Sequence, residues 1–157
     1  MNLFKIRRAQ RSDTSQIKKI IFKVLKEYGL KSDEQGKDSD LNDIDKYYLN
    51  SGGFFGVVED RNKNIIGAFG LYRLSDQVYE LRKMYLLKEA REMGCGKMIL
   101  NFAVQMAKES NINLIQLETI STLKEAIALY KKFGFKETKP EQINDRVNQA
   151  FELMVNQ

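Results

Sequence analysis

A glycine-bearing turn between a strand-like and a helix-like segment constrains the fold of this chain more than any other feature. The turn is Arg91–Lys97, and the strand-like segment Val78–Leu86 precedes it. After the turn, apolar residues recur at the spacing of one helical face, at Ile99, Phe102, Ala103, Met106 and Ala107. The first N–H groups of a helix lack partners within it, and the helix dipole adds partial positive charge there. The sequence therefore predicts a phosphate-binding turn at the start of this helix.

The familiar nucleotide-binding motifs do not describe this turn. The dinucleotide fingerprint requires a third glycine where Ile99 stands, and the P-loop requires serine or threonine where Met98 follows the lysine. What remains is Arg-x-x-Gly-x-Gly. Its glycines let a bulky anion approach the backbone, and Arg91 and Lys97 add positive charge. A solvated glycine-rich connection is the alternative for the turn alone.

The segments around the turn resemble the GNAT superfamily of acyl-CoA-dependent N-acetyltransferases. Glu80–Leu86 resembles the fourth strand of that superfamily, and Leu114–Thr119 resembles its fifth. Ala126–Phe135 resembles its characteristic ending, in which a helix carrying Ala-x-x-Leu-Tyr runs into Gly-Phe. The turn itself resembles the pyrophosphate-binding signature. Order and spacing agree from about Tyr79 to Phe135.

This resemblance implies a fold and a cosubstrate. The fold is the acyl-CoA N-acyltransferase fold of the mixed α/β class, with a mostly antiparallel sheet of six to seven strands, helices on both faces, and splayed fourth and fifth strands. The pantetheine arm of acetyl-CoA would lie between those strands, and its pyrophosphate would lie over the glycine turn. The residues implied to bind it are Met84, Tyr85, Leu86, Arg91, Glu92, Met93, Gly94, Cys95, Gly96, Lys97 and Tyr130.

Hydrophobic periodicity and turn residues predict the order β-α-(α)-β-β-β-α-β-α-β. The predicted strands are Phe4–Arg8, Phe54–Glu59, Ile65–Tyr72, Val78–Leu86, Leu114–Thr119 and Phe151–Val155. The predicted helices are one capped by Ser12 or Asp13 and ended by Gly29, a short one holding Leu41, Ile44, Tyr47 and Tyr48, one from the glycine turn to about Ser110, and one at about Leu123–Phe133. The length predicts one domain over residues 1–157, and the resemblance implies that it is an N-acetyltransferase domain.

Composition narrows the classes of function. The chain has no histidine, which excludes Ser-His and Cys-His nucleophilic systems and most zinc sites, so we predict no metal. Cys95 is the only cysteine, so a reducing, cytoplasmic environment is expected. No apolar run approaches the ~20 residues that span a bilayer, and the start at Met1–Arg8 lacks a secretory hydrophobic region, so no membrane association is predicted.

The charge pattern narrows the partners further. The net charge is +5, but 21 acidic residues are interleaved with 26 basic ones. A nucleic-acid interface would require a basic stripe, so the sequence predicts no nucleic-acid partner. A cosubstrate with several phosphates accounts for a modest basic excess.

Acetyl transfer to an amine requires a base for the amine, whose pKa is near ~10, and a proton for the departing thiolate. Without histidine, a carboxylate is the expected base. Glu80 is the first candidate, since strand alternation predicts that it shares a face with Met84 and the histone-acetylating branch carries its base at this place. Glu118 on the neighbouring strand, or water, is the alternative. A glutamate paired with Arg82 or with solvent accounts for Glu80 equally well.

Tyr130 is the predicted general acid. The Leu-Tyr-x-x-x-Gly-Phe spacing matches the superfamily without a gap, and the resemblance implies a hydroxyl aimed at the cofactor sulfur. A helix aromatic packed into the core is the alternative. Leu123 stands where many members have a cofactor-binding asparagine, so no side-chain contact is carried over there. Cys95 has no histidine to activate it and is not predicted as a nucleophile.

The acceptor is the part that the sequence constrains least. The predicted function is acetyl transfer to a primary amine of a small molecule or a peptide. The acidic segment Lys31–Asp45 would favour a cationic amine, although a solvated loop explains the same residues. A non-catalytic acyl-CoA-binding regulatory module is the alternative function. Dimers are common in the superfamily, which favours a homodimer.

Overall fold

The computed structural model describes residues 3–155, so the ends of the predicted domain, Met1–Asn2 and Asn156–Gln157, lie outside the described residues. The strands are β1 (Lys5–Arg8), β2 (Phe54–Glu59), β3 (Ile65–Arg73), β4 (Val78–Leu86), β5 (Leu114–Thr119), β6 (Lys136–Thr138) and β7 (Gln149–Met154). The α-helices are α1 (Thr14–Glu27), α2 (Lys88–Arg91), α3 (Cys95–Glu109) and α4 (Lys124–Phe133). Within residues 3–155, no helix combines the length and apolar character that a bilayer crossing requires.

The strands form one seven-stranded sheet in the order β1-β2-β3-β4-β5-β7-β6. Every neighbouring pair is antiparallel except β4 and β5, which run parallel. The two parallel strands pair only between Val78–Glu80 and Leu114–Gln116. Beyond those residues they separate, so a V-shaped gap opens between Leu81–Leu86 and Leu117–Thr119. The predicted mixed sheet with splayed fourth and fifth strands is confirmed.

Helices cover both faces of the sheet because each face carries its own hydrophobic cluster. One cluster joins α1 to the first strands, with Ile17, Ile21, Leu25, Phe55, Val57 and Ala68 among its buried members. The other joins α3 and α4 to the opposite face, with Phe69, Leu81, Ile99, Ala103, Ile127 and Phe151 among its members. Burial of these apolar faces stabilises the layered arrangement.

The first helix follows its apolar periodicity, and only its start differs from the prediction. Its predicted core positions from Ile17 to Leu25 are buried, and Gly29 follows its end. Asp13 stands at the N-cap position of α1, after a separate 3-10 turn at residues 11–13, but its side chain makes no capping hydrogen bond to this helix. The Asp13 carboxylate instead accepts hydrogen bonds from the backbone N–H of Gln10 at 2.7 Å and from Arg7. A strong cationic partner therefore takes the place of the helix cap.

A bulge interrupts β4 where the V-shaped gap begins. Two residues, Lys83 and Met84, lie opposite the single Phe69 of β3, between the pairs made by Arg82 and Tyr85. Lys83 has a φ of 54°, a conformation that side chains rarely adopt outside such irregular sites. The ladder between β3 and β4 is therefore distorted, on the edge of β4 opposite the gap.

The bulge decides which side chains share a face. Residues directly opposite each other in antiparallel strands lie on one face, and the register puts Glu80, Arg82 and Tyr85 together. Met84 packs against the cluster of α3 and α4 on the other face. The prediction that Glu80 and Met84 share a face is therefore wrong, because the extra residue inverts the alternation after Arg82.

Other predicted elements differ at their edges. The short second helix is a 3-10 turn at Ser39–Asn42 followed by a π-helical turn at Asp45–Leu49. The glycine turn contains one helical turn, α2, before Gly94. The sequence did not predict β6, which pairs with β7 at the sheet edge. The last strand begins at Gln149 rather than Phe151, since Gln149 and Ala150 continue the pairing with β5.

Candidate active site

Two cavities meet at the V-shaped gap. The narrow cavity has a volume of about 190 Å³ and runs along the ends of β4, α3 and α4. The wide cavity has a volume of about 480 Å³ and opens on the side of β4 that carries Glu80 and Arg82. Five residues line both cavities, namely Met84, Tyr85, Leu123, Ala126 and Tyr130. A molecule in one cavity can therefore touch a molecule in the other at this junction.

The glycines of the turn shape the mouth of the narrow cavity. Gly94 precedes α3 with a φ of 82°, a conformation that glycine adopts without strain. A Cβ on Gly96 would approach the Leu129 Cδ2 methyl to 2.5 Å, so the Leu129 side chain in its present position requires a residue without Cβ here. Lys97 also lines this cavity. The glycine pattern found in the sequence thus serves both a turn and a close helix contact.

The start of α3 suits an anion. Its first-turn amides, at Cys95, Gly96 and Lys97, have no partner within the helix by the geometry of an α-helix. No side chain among residues 3–155 caps this end. The remainder of the narrow cavity is largely apolar, with Val24, Leu86 and Leu129 in its walls. A long molecule with an apolar arm and a phosphate end fits this combination of residues.

Arg91 is held by α1 rather than pointing freely at the mouth of the cavity. Its guanidinium makes a bidentate ion pair with Glu27, and its Nε donates to the backbone oxygen of Leu86 at 3.0 Å. It also lies over the Tyr28 ring, 5.2 Å from the centroid. The hydrogen bond from Arg91 holds the pKa of the Glu27 carboxyl below its usual value. Glu27 therefore occupies the guanidinium fork that an anion would use.

The structure brings some predicted cofactor-binding residues together and leaves others aside. Met84, Tyr85, Leu86, Arg91, Gly94, Gly96, Lys97 and Tyr130 line the narrow cavity. Glu92 and Met93 are exposed on the loop and do not line it. Cys95 is buried against the core, where burial raises the pKa of its thiol, so the thiolate that a nucleophile requires is disfavoured. No metal-binding group of three or more acidic or cysteine side chains occurs in the described part of the chain.

Tyr130 lies at the junction with its hydroxyl nearly free. Its ring packs against Phe135 and Phe151 at centroid distances of 5.7 and 6.2 Å, and only 5% of the residue is exposed. The hydroxyl contacts Met84 Sδ at 3.9 Å, its one hydrogen-bond partner within residues 3–155. A thioether is a weak acceptor. Burial raises the pKa of Tyr130 well above its usual value, so the phenol keeps its proton.

Glu80 and Arg82 on β4 and Glu118 on β5 face the wide cavity from adjacent strands. Glu80 pairs with Arg82 on β4, and the Arg82 guanidinium stacks 3.9 Å from the ring centroid of Tyr72. Glu118 on β5 accepts a hydrogen bond from the Glu141 N–H at 3.3 Å. Burial, and then the negative charge of Glu80, raise the pKa of Glu118. The two carboxylates that the sequence offered as bases therefore lie in one cavity with unequal environments.

The acidic segment Lys31–Asp45 is not simply a solvated loop. Asp38 is completely buried, where it pairs with Arg146 and lies 3.4 Å from Lys83 Nζ. Lys83 Nζ also lies 3.3 Å from Asp40, whose other oxygen accepts a hydrogen bond from the buried Tyr48. These contacts fasten the segment and the loop before β7 to the bulge of β4. The acidic residues of this segment that lie nearest the wide cavity, Asp38 and Asp40, are thus already paired with cationic side chains.

Sequence reasoning missed several residues of both cavities. Tyr28 and Val24 enter the narrow cavity from the end of α1, and Arg146 and Val147 enter the wide one from the loop before β7. The helical periodicity of α1 had placed Tyr28 on an apolar face, but no local pattern distinguished a cavity wall from core. Leu123, for which no contact was predicted, lines both cavities.

Comparison with known proteins decides the family. The sequence model of the acetyltransferase (GNAT) family matches residues 19–135. This chain belongs to the GNAT family. A GNAT relative from Escherichia coli, the uncharacterized N-acetyltransferase YjgM, is 34% identical over 136 residues, which cover 83% of this chain and 81% of that protein. The family match and this relative show that the protein is an N-acetyltransferase.

Solved GNAT structures agree with the fold. An acetyltransferase of the GNAT family from Staphylococcus aureus Mu50 superposes with a TM-score of 0.91 at 31% identity, covering 98% of this chain and 99% of that one. The protein yncA from Salmonella typhimurium, described as a putative acetyltransferase and solved with its cofactor acetyl-CoA, superposes with a TM-score of 0.77 at 18% identity, covering 99% of this chain and 95% of that one. The second likeness concerns the fold alone.

Proposed function

We propose that this GNAT enzyme transfers the acetyl group of acetyl-CoA to a primary amine of a small molecule or a peptide. The observation that carries the proposal is the junction of the narrow and wide cavities at Tyr130 and Met84. One cavity suits a phosphate-ended arm, and the other carries carboxylates suited to an amine. The two substrates approach from opposite sides and meet at the gap between β4 and β5.

The residues that hold acetyl-CoA are those of the narrow cavity. The amides at the start of α3 and Lys97 bind the pyrophosphate. The pantetheine arm lies along the edge of β4 at Met84 and Leu86, which is not paired with β5. Bound acetyl-CoA supplies the thioester carbonyl that an amine attacks. Tyr130 holds its proton at the junction and donates it to the departing sulfur as a general acid.

The base is best assigned to Glu118, directly or through a water molecule. Glu80 is engaged in an ion pair with Arg82, so one of its carboxylate oxygens already has a partner. Glu118 has no ion-pair partner among residues 3–155, and its raised pKa brings it closer to neutral pH.

A pH–rate comparison of two variants tests this assignment. Since only the ionised carboxylate accepts a proton, activity rises with pH through the raised pKa of Glu118. We expect Glu118→Gln to lower kcat/KM by about tenfold or more and to remove this acid limb. Glu80→Gln is the matched control and is expected to keep the limb. A profile in which only Glu80→Gln loses the limb would return the role to Glu80.

Calorimetric titration tests the cosubstrate and the role of Glu27. We expect the wild-type protein to bind acetyl-CoA, and Glu27→Gln to bind it about threefold more tightly, because the variant frees the Arg91 fork for phosphate. Glu89→Gln removes an exposed acidic charge from α2, the helical turn that carries Arg91, and is the control for a general charge effect. It is expected to change the affinity less.

Two results would contradict these expectations. Equal affinities of the Glu27→Gln and Glu89→Gln variants for acetyl-CoA would mean that the Arg91–Glu27 pair has only a structural role and does not limit phosphate binding. Absence of binding by folded wild-type protein would overturn the proposed function as a whole. A non-catalytic acyl-CoA-binding module would bind acetyl-CoA but release no thiol with any amine, so a thiol-release assay separates that alternative.

A further inference from the structure

The wide cavity carries a specific set of charges once the internal ion pairs are accounted for. Lys83 and Arg146 are bound by Asp38 and Asp40, and Lys37 pairs with Asp145. Glu80, Arg82 and Glu118 also face the cavity, where Glu80 and Arg82 pair with each other and Glu118 has no ion-pair partner among residues 3–155. This arrangement differs from an acidic pocket, since the cationic Arg82 lies on the same face of β4 as Glu80.

Arg82 is held in a fixed orientation. Its guanidinium stacks on the Tyr72 ring at 3.9 Å, and its Nε donates to Glu80. Glu80 is the one carboxylate within ion-pair distance of Arg82 in residues 3–155. About a third of the Arg82 side chain is exposed, at 32%, and the residue lines the wide cavity. A planar guanidinium held in this way is suited to a carboxylate, which it binds through two parallel hydrogen bonds.

We propose that the acceptor is a zwitterionic amine, with its ammonium group beside Glu118 and Glu80 and its carboxylate on Arg82. This inference rests on the proposed function, because it names the acceptor class of that same site. A polyamine would place positive charge against Arg82 without compensation. In an α-amino acid the ammonium and the carboxylate lie a few ångströms apart. This separation matches the positions of Glu80 and Arg82, which are neighbours on one face of β4.

The rest of the cavity indicates the side chain of such an acceptor. The walls beyond the charged residues include Leu30, Tyr47, Leu117, Ile120 and Val147. Apolar and aromatic walls favour an apolar side chain on the amino acid. L-phenylalanine is therefore a suitable probe. L-phenylalaninamide keeps the amine and the ring but lacks the carboxylate.

Thiol-release kinetics with acetyl-CoA test the inference. We expect kcat/KM for L-phenylalanine to exceed that for L-phenylalaninamide and for spermidine by about tenfold or more. In Arg82→Gln, the preference for L-phenylalanine over its amide is expected to fall to about one. Arg82→Lys keeps the charge without the fork and is expected to lie between. Lys37→Gln removes another cation from the same cavity and is expected to retain most of the preference.

The outcomes separate this inference from the proposed function. A wild-type enzyme that acetylates the amide or spermidine as well as L-phenylalanine, or a preference that survives in Arg82→Gln, overturns the zwitterion assignment alone. Calorimetric binding of acetyl-CoA without acetylation of L-phenylalanine overturns it too, while the cosubstrate site stands. Loss of acetyl-CoA binding by folded protein overturns the proposed function itself.

Discussion

Replacing Tyr130 with phenylalanine is expected to lower kcat by about a hundredfold and to leave the affinity for acetyl-CoA within about twofold. The reason is the position of the hydroxyl, which lies at the junction of the two cavities and has Met84 Sδ as its one hydrogen-bond partner within residues 3–155. Its raised pKa keeps the proton on the phenol throughout the neutral range. The ring remains in Tyr130→Phe, so its packing against Phe135 and Phe151 is retained.

Steady-state kinetics and calorimetry with acetyl-CoA measure both halves of this prediction. A hundredfold loss corresponds to about 2.7 kcal/mol of transition-state stabilisation. Tyr79→Phe is the matched control, because Tyr79 is also buried on this face but its hydroxyl donates to the backbone oxygen of Gly52, away from both cavities. It is expected to keep its turnover. Unchanged turnover in Tyr130→Phe would leave the tyrosine as a core aromatic and require another proton donor.

The parts of the site that the sequence predicted are those encoded within a few consecutive residues. A glycine turn followed by an apolar helical stripe placed the start of α3, and the spacing from Tyr130 to Phe135 placed the end of α4. At the start of α3 the local pattern and the tertiary contact agree, since Gly94 adopts the positive φ of the turn and Gly96 leaves room for Leu129. Local consistency of this kind makes a segment predictable.

The sheet irregularities were not predictable from alternation. A bulge adds one residue to a strand without leaving a distinctive residue type, and here the extra position is Lys83 rather than a glycine. The face of Glu80 relative to Met84 was therefore predicted wrongly. Strand β6 spans only Lys136–Thr138 at the sheet edge, and its exposed polar residues show no apolar alternation. Its hydrogen bonds to β7, rather than an apolar pattern in its own sequence, stabilise it as a strand.

Contacts between distant charges account for the rest of what was missed. Glu27 and Arg91 lie 64 residues apart, and Asp38 and Arg146 lie 108 residues apart. Each partner taken alone resembles an ordinary solvated charge, so composition gives no signal of the pair. These pairs nevertheless set the state of the phosphate-binding fork and the shape of the wide cavity. Arg82, which defines our acceptor proposal, was seen in the sequence only as a neighbour of Glu80.

The buried pair at Asp38 leads to the second large prediction, which concerns stability. Asp38→Asn is expected to destabilise the protein by about 3 kcal/mol and to lower Tm by roughly 6–12 °C. The carboxylate accepts hydrogen bonds from Arg146 and from the Asp33 N–H at 2.7 Å, and it lies beside Lys83. Arg146 and Lys83 are themselves only 10% and 12% exposed, so the variant leaves two buried cations with less compensation.

Thermal unfolding with Asp145→Asn as the control measures this effect. Asp145 also forms an ion pair with the segment Lys31–Asp45, through Lys37. Its side chain is 70% exposed, so little change in Tm is expected for this variant. Equal shifts in the two variants would contradict the prediction that burial gives the Asp38 pair its importance.

The effect of Asp38 also has a defined dependence on pH. Although burial opposes ionisation, the hydrogen bond from Arg146 and the backbone bond from Asp33 hold the pKa of Asp38 below its usual value. A carboxyl with a lowered pKa in the folded state contributes stability above its unfolded pKa of about 3.9 and loses it as pH falls through the folded value. The difference between wild type and Asp38→Asn should therefore be full at pH 7 and shrink only in strong acid. Because the same contacts fasten the wall of the wide cavity to β4, folded Asp38→Asn is also expected to raise the KM of the acceptor more than that of acetyl-CoA.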